Sequence, residues 1–199
     1  MLIYVPPPSA AMRPVCGKDP ARTIYSKKDL AKMKIIVFSD SHGNTGAISR
    51  ALKKNADGLD MCVFLGDGTD DAEYALSSYP SVKRIIVSGN REEYFSSFFG
   101  LPYPIQEEFE IQGIRFLALH GHRPVNVKGG LGAAASYAAS KGADVLLYGH
   151  THIKNVTVIE TASGKVRLIN PGTCGSGHDL SYALLTIIDG VILCGFGEI

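Results

Sequence analysis

The sequence predicts an α/β sandwich, two packed sheets with helices on the outside. Two observations lead to that class. In the first half, short β-rich runs that are apolar at consecutive positions alternate with segments of helical period. In the second half, most runs are joined in pairs by tight-turn residues. At 199 residues the chain has the length of one domain with a sizeable core.

Residues 1–32 cluster prolines and show no period. They read as an N-terminal extension with no catalytic role, either a peripheral arm or an upstream start, and the apolar opening is too short for a secretory signal. Met33 opens the domain, expected to span 33–199. "KIIVF" is the first strand, and "NTGAISRALKKN" follows as a helix that places Ile48 and Leu52 on one face. "MCVFL" is the second strand. "TDDAEYALSSY" is a helix whose first turn carries Asp70 and Asp71, as the helix dipole favours. "RIIVS" is the third strand. Continuous apolar runs of this kind are expected to be buried on both faces under helices.

"IQEEFEIQGIRFLALH" reads as a hairpin turning at Gln112-Gly113. "GGLGAAASYAASKGA" is an Ala-rich helix, and "DVLLYGH" is a further buried strand. "KNVTVIETASGKVRLIN" is a hairpin through Ser163-Gly164. The most apolar stretch, "YALLTIIDGVILCGF", is broken by Asp189-Gly190, which marks a tight hairpin rather than a membrane span. The later strands are expected to be largely antiparallel.

Charge narrows the partners. The net charge is +1, so no broad pull toward nucleic acid or an anionic membrane is expected. Cys16, Cys62, Cys174 and Cys194 are scattered without CxxC spacing, which suits free thiols in a reducing cytoplasm rather than disulfides or a structural zinc site. A homo-oligomer would cover any apolar strand surface left exposed.

The chemistry gathers where the apolar runs end. "KIIVF" is followed by Ser39, Asp40, Ser41 and His42, and "MCVFL" by Gly66 and Asp67. "RIIVS" leads to Gly89 and Asn90, "RFLAL" to His120, Gly121 and His122, and "VLLY" to Gly149, His150, Thr151 and His152. Ligands of open α/β sheets bind outside the carboxyl ends of the strands, where side chains from several strands converge. Asp40, His42, Asp67, Asn90, His120, His150 and His152 combine hard oxygen and borderline nitrogen donors, a set suited to Mn, Fe, Zn or Ni. Seven donors exceed one tetrahedral ion, whereas two ions sharing a bridging carboxylate would use them all. Alternation along an extended stretch would let His150 and His152 point the same way, with Thr151 facing away.

"DSHGN", "LGD", "SGN", "LHGH" and "YGHTH", in that order, resemble the calcineurin-like metallophosphoesterases, and most nearly their small bacterial and archaeal phosphodiesterase branch. The resemblance runs from about Met33 to the end and includes the turn "NPGTCG". It implies a four-layer α/β/β/α sandwich of two mixed sheets flanked by helices. It also implies two divalent ions, Mn foremost. Asp40, His42, Asp67 and His152 would hold one ion, and Asp67, Asn90, His120 and His150 the other, with Asp67 bridging. The implied reaction is hydrolysis of a small phosphodiester by a hydroxide between the ions.

One departure stands out. Where many relatives carry His or Cys directly after the Asn of "GN", this chain has Arg91, which stays protonated and is a poor general acid. Arg91 could instead bind a phosphate oxygen, and His122 is the candidate for substrate contact or proton transfer. The alternatives are a non-catalytic protein-binding scaffold on the same fold, as in a retromer coat subunit of this family, and a phosphomonoesterase. An intact set of seven ligand positions favours the enzyme. His178, in a polar loop, reads as an ordinary surface histidine, and Arg123 and Lys128 as surface charges.

Overall fold

The structure is a computed structural model that describes residues 3–4, 23–25 and 32–199 except 176. Most of the proposed extension, including Cys16, lies outside the described residues.

Two sheets face each other. The first has the order β1 (Ile3–Tyr4), β12 (Val191–Glu198), β11 (Ser181–Ile188), β3 (Lys32–Phe38), β4 (Met61–Phe64), β5 (Lys83–Ile86). The second runs β2 (Thr23–Tyr25), β6 (Gln106–Ile111), β7 (Ile114–Leu119), β8 (Val145–Tyr148), β10 (Gly164–Asn170), β9 (Asn155–Thr161). Each sheet therefore takes five strands from residues 32–199 and one short strand from the N-terminal segment. Strands β3, β4 and β5 are mutually parallel, whereas β11 joins β3 antiparallel. Both sheets are mixed: β8 is parallel to β7 and β10, while the β6–β7, β9–β10 and β11–β12 pairs are antiparallel.

The helices α1 (Thr45–Asn55), α2 (Thr69–Leu76) and α4 (Leu131–Ser140) cover the outer faces, and α3 (Asn90–Phe99) follows β5. The layers are legible in the alternation along each strand. Ile35 and Val37 of β3 enter the core between the sheets, with Val63, Phe116, Leu147 and Leu185. Ile36 and Phe38 pack outward with Ile48 and Leu52 of α1. On the other side, Leu117, Leu146 and Leu168 pack with Ala134, Ala135 and Ala138 of α4. The first three apolar runs were expected to have both faces buried under helices. The inner face is instead covered by the second sheet, because a sandwich brings two apolar sheet faces together.

The hairpins form at Gln112-Gly113 and Asp189-Gly190, both pairs at positive φ as two-residue primed turns require. The third hairpin differs by one residue: Thr161 pairs with Gly164, so Ala162-Ser163 form its turn. Helix α3 is absent from the elements expected from the sequence, although Glu92 and Glu93 supply an acidic first turn.

Candidate metal centre

The carboxyl ends of β3, β4, β7 and β8 open on one side, and their loops bring the donors together. Asp40 is fully buried after β3. Its Oδ1 lies 3.9 Å from His42 Nε2, 3.8 Å from His120 Nε2 and 3.2 Å from His152 Nε2. Asp67 Oδ2 stands 3.9 Å from His42 Nε2 and 3.7 Å from His120 Nε2. Asn90 Oδ1 is 3.1 Å from His120 Nε2. Two triads of ligand atoms result, Asp40–His42–His152 and Asp40–Asp67–His120, each within 4.8 Å. His150 belongs to neither triad. Its ring stands edge-on to that of His120, centroids 5.0 Å apart, and its backbone N–H donates to Asp40 Oδ2 over 3.0 Å.

The backbone at these positions is unusual. Among the described residues, seven non-glycine residues have positive φ, and five of them are Asp40, His42, Asp67, His150 and His152. Gln112 and Asp189, the other two, sit in hairpin turns. His150 and His152 therefore converge through left-handed backbone, not through strand alternation. Thr151 turns away as expected, its Oγ1 accepting from Asn170 Nδ2 at 3.0 Å.

Electrostatics prepare the donors. Burial pushes the Asp40 pKa up, but the facing His152, His120 and Ser39 outweigh it and hold the carboxyl below its ordinary range. Burial and neighbouring positive groups, His120 first, push His150 down to about 4, which keeps its ring neutral near pH 7. The close approach of Asp40 outweighs burial at His152 and raises its pKa. The Leu65 carbonyl accepts from His120 Nδ1 at 2.7 Å, so Nε2 presents its lone pair to the site. Asn90 Oδ1 then faces that lone pair, an arrangement that suits a shared cation.

Asp40 Oδ1 provides the test of fit. It is a buried carboxylate oxygen with no hydrogen bond, ringed by imidazole nitrogens. Buried charges are paired or coordinate metals. The residues present fit divalent cations.

Several supporting residues escaped the sequence reading. Glu92, in the first turn of α3, accepts four backbone N–H bonds, from Asp67, Gly68, Thr69 and Gly89. Burial raises its pKa, but those donors together hold it low. Asp71, expected only to suit a helix dipole, also accepts from Ser41 Oγ, Gly43 N and Thr45 Oγ1. Asn170 of "NPGTCG" donates to the Gly149 carbonyl, and Thr173 Oγ1 to that of Asp40. A side chain at Gly89 would overlap Asp67 Oδ1, and one at Gly149 would overlap Ser39 Oγ. The Gly three residues before Glu92, where a helix begins, was a usable signal; the long-range pairings had none.

Arg91 reaches the cluster through its backbone: its N–H donates to Asp67 Oδ1 at 2.8 Å. His122 packs 5.3 Å from His120 and 6.2 Å from His150, centroid to centroid. Its Nε2 lies 2.6 Å from Glu93 Oε2, and its Nδ1 is buried without a partner. Arg123 pairs with the same Glu93. His178 is exposed, outside the cluster.

The sequence profile of the calcineurin-like phosphoesterase superfamily domain matches residues 33–190. The chain belongs to that superfamily. It is 28% identical over 159 residues to "Probable metallophosphoesterase YsnB" of Bacillus subtilis, covering 78% of this chain and 85% of that protein. Its fold matches a conserved uncharacterized protein of Streptococcus pneumoniae, described as a predicted phosphoesterase. The TM-score is 0.64 at 22% identity, over 84% of this chain and 90% of that one. Vps29 of Entamoeba histolytica, in complex with Zn²⁺, matches at TM-score 0.56 and 20% identity, over 83% of this chain and 99% of that one.

Proposed function

We propose that the protein is a metal-dependent phosphodiesterase that uses two divalent cations, Mn²⁺ foremost, with Fe, Zn or Ni also suited to the donors. The observation that carries this reading is the fully buried, unbonded Asp40 Oδ1 beside three imidazole nitrogens, with Asp67 Oδ2 facing two of them. Asp40, His42, Asp67 and His152 would hold one ion, and Asp67, Asn90, His120 and His150 the other. When bound, the ions supply Lewis acidity toward a phosphoryl oxygen and a water acidic enough to serve as nucleophile near neutral pH.

The chain's own residues supply position and protons. Asp67 is oriented by the Arg91 N–H, which donates to its Oδ1. Glu93 accepts from His122 Nε2, which leaves the buried Nδ1 as the atom free to take or give a proton. Burial lowers the His122 pKa, so the ring is a weak acid reservoir at neutral pH. With Arg91 unable to give a proton, esters of acidic alcohols, which leave without protonation, are favoured. A small phosphodiester and a cytoplasmic setting remain our reading; three buried free thiols, Cys62, Cys174 and Cys194, accord with a reducing compartment.

The test is hydrolysis of bis-p-nitrophenyl phosphate by chelator-stripped protein before and after Mn²⁺ is added. Activity should return with the metal. Asp67→Ala and His150→Ala should each lower it by about 100-fold or more, the scale of losing a group that stabilises developing charge. A second reading, a protein-binding scaffold, draws on the exposed rings of Tyr74 and Tyr94. Bound metal with no hydrolysis would favour it.

A further inference from the structure

The donor cluster opens to solvent on one side. The Asp40 and His120 side chains are fully buried, whereas those of His42 and His152 are 31% and 46% exposed. A phosphate reaching the donors would arrive over His42 and His152, with its outer oxygens toward this opening.

One loop sets a cation beside it. The chain leaves β7 through His120, Gly121 and His122 and then folds back on them. The Val127 N–H donates to the Gly121 carbonyl at 2.9 Å. Val127 is buried with Ala134 and Ala135 of α4, so close to Gly121 that a methyl group there would overlap its side chain. Asn126 Oδ1 accepts from the Lys128 N–H at 3.0 Å. The backbone of Lys128 is thus fastened to the strand-end motif, while its side chain is exposed. Its charge reaches a histidine of each donor set. After burial and His120, it helps to push the His150 pKa down, and with burial it opposes the rise that Asp40 causes at His152. Among the described residues, no hydrogen bond or ion pair engages the Lys128 ammonium. The neighbouring cations are placed otherwise. Arg123 pairs with Glu93, Lys154 Nζ faces Glu198 at 3.9 Å, and Arg91 lines a cavity that includes none of the seven donors.

We propose that Lys128 is a further catalytic residue, its ammonium donating to a non-bridging oxygen of the phosphoryl group seated at the donors. The inference rests on the phosphodiesterase reading above. A diester phosphate carries one negative charge, and nucleophilic attack builds more on its oxygens. A cation aimed at those oxygens stabilises that charge. Three N–H donors on a flexible stem suit the task. The same positive charge opposes cations at His150 and His152, so Lys128 acts with opposite sign on metal and on phosphate.

The test measures both on the full chain, in wild type, Lys128→Met and Lys128→Arg. Calorimetry follows Mn²⁺ binding to the chelator-stripped proteins, then inorganic phosphate binding to the Mn²⁺-loaded ones. Hydrolysis of bis-p-nitrophenyl phosphate is followed alongside. Lys128→Met should bind Mn²⁺ at least as tightly as wild type and phosphate about tenfold more weakly, as loss of one charge-assisted hydrogen bond entails. Its kcat/KM should fall by at least that factor, and Lys128→Arg should keep most of both. Phosphate bound equally by wild type and Lys128→Met, or by neither, would overturn the contact. Joint loss of Mn²⁺ and phosphate binding would overturn it as well, since a residue that merely shapes the loop weakens both. Absence of hydrolysis by wild type would overturn the phosphodiesterase, and phosphate calorimetry would still decide the contact.

Discussion

Five candidate ligands hold left-handed backbone, a conformation that costs a non-glycine residue on the order of 1–3 kcal/mol. It persists because neighbouring strands over-determine it. Asp40 N–H donates to the Gly66 carbonyl, His42 N–H to that of Asp67, and His150 N–H to Asp40 Oδ2. The left-handed turn aims each side chain back over its own strand end and into the cluster. Close approach is the second requirement. Gly89 lies so near Asp67 that a methyl group would have to displace its carboxylate. Gly89→Ala should destabilise the fold by about 1–3 kcal/mol, the usual cost of overpacking. Mn²⁺ binding should weaken as well, and thermal unfolding paired with a metal titration would measure both. Unchanged metal affinity would contradict the placement of Asp67.

At the scale of elements, the strands set the site's location and the first turns of α2 and α3 hold its loops. Asp71 gathers the loop after β3, and Glu92 gathers the loops after β4 and β5. Each is a carboxylate at a helix N-terminus, where the dipole favours negative charge. The Glu92 pKa is depressed in the folded protein, so its contribution is fully present at neutral pH. That contribution is lost as pH falls below the ordinary glutamate value of about 4.3 and through the folded value. Glu92→Gln should lower the Tm at pH 7, and the difference from wild type should shrink as both are taken below pH of about 4. Melting curves across that range would show it. A constant difference would mean that the charge of Glu92 is not what holds the loops.

At the scale of the whole molecule, the inter-sheet core keeps the strand ends in register. Leu147 is fully buried in β8, three residues before His150. Leu147→Ala should cost about 2–5 kcal/mol in urea unfolding, as large-to-small changes in cores do. Val158→Ala, at a position 42% exposed, should cost far less. Similar losses at both sites would contradict the layer assignment. No helix of the described residues is long and apolar enough to cross a membrane, which agrees with reading "YALLTIIDGVILCGF" as a hairpin.

The amino-acid order by itself determined the layered architecture, two of three hairpin turns and the convergence of donors at strand ends. These follow from local rules: continuous apolar runs make buried strands, Asp-Gly and Gln-Gly make tight turns, and strands of an α/β sheet end on one side. Only the tertiary structure decided which face of β3 meets a sheet and which meets helices. It alone revealed the left-handed backbone at His150 and His152. Helix α3, the loop-fastening role of Glu92 and the entry of Arg91 through its N–H were likewise decided there. These depend on partners such as Glu92 and Asp67 that are 25 residues apart, and no local pattern records which distant backbone N–H a carboxylate will meet.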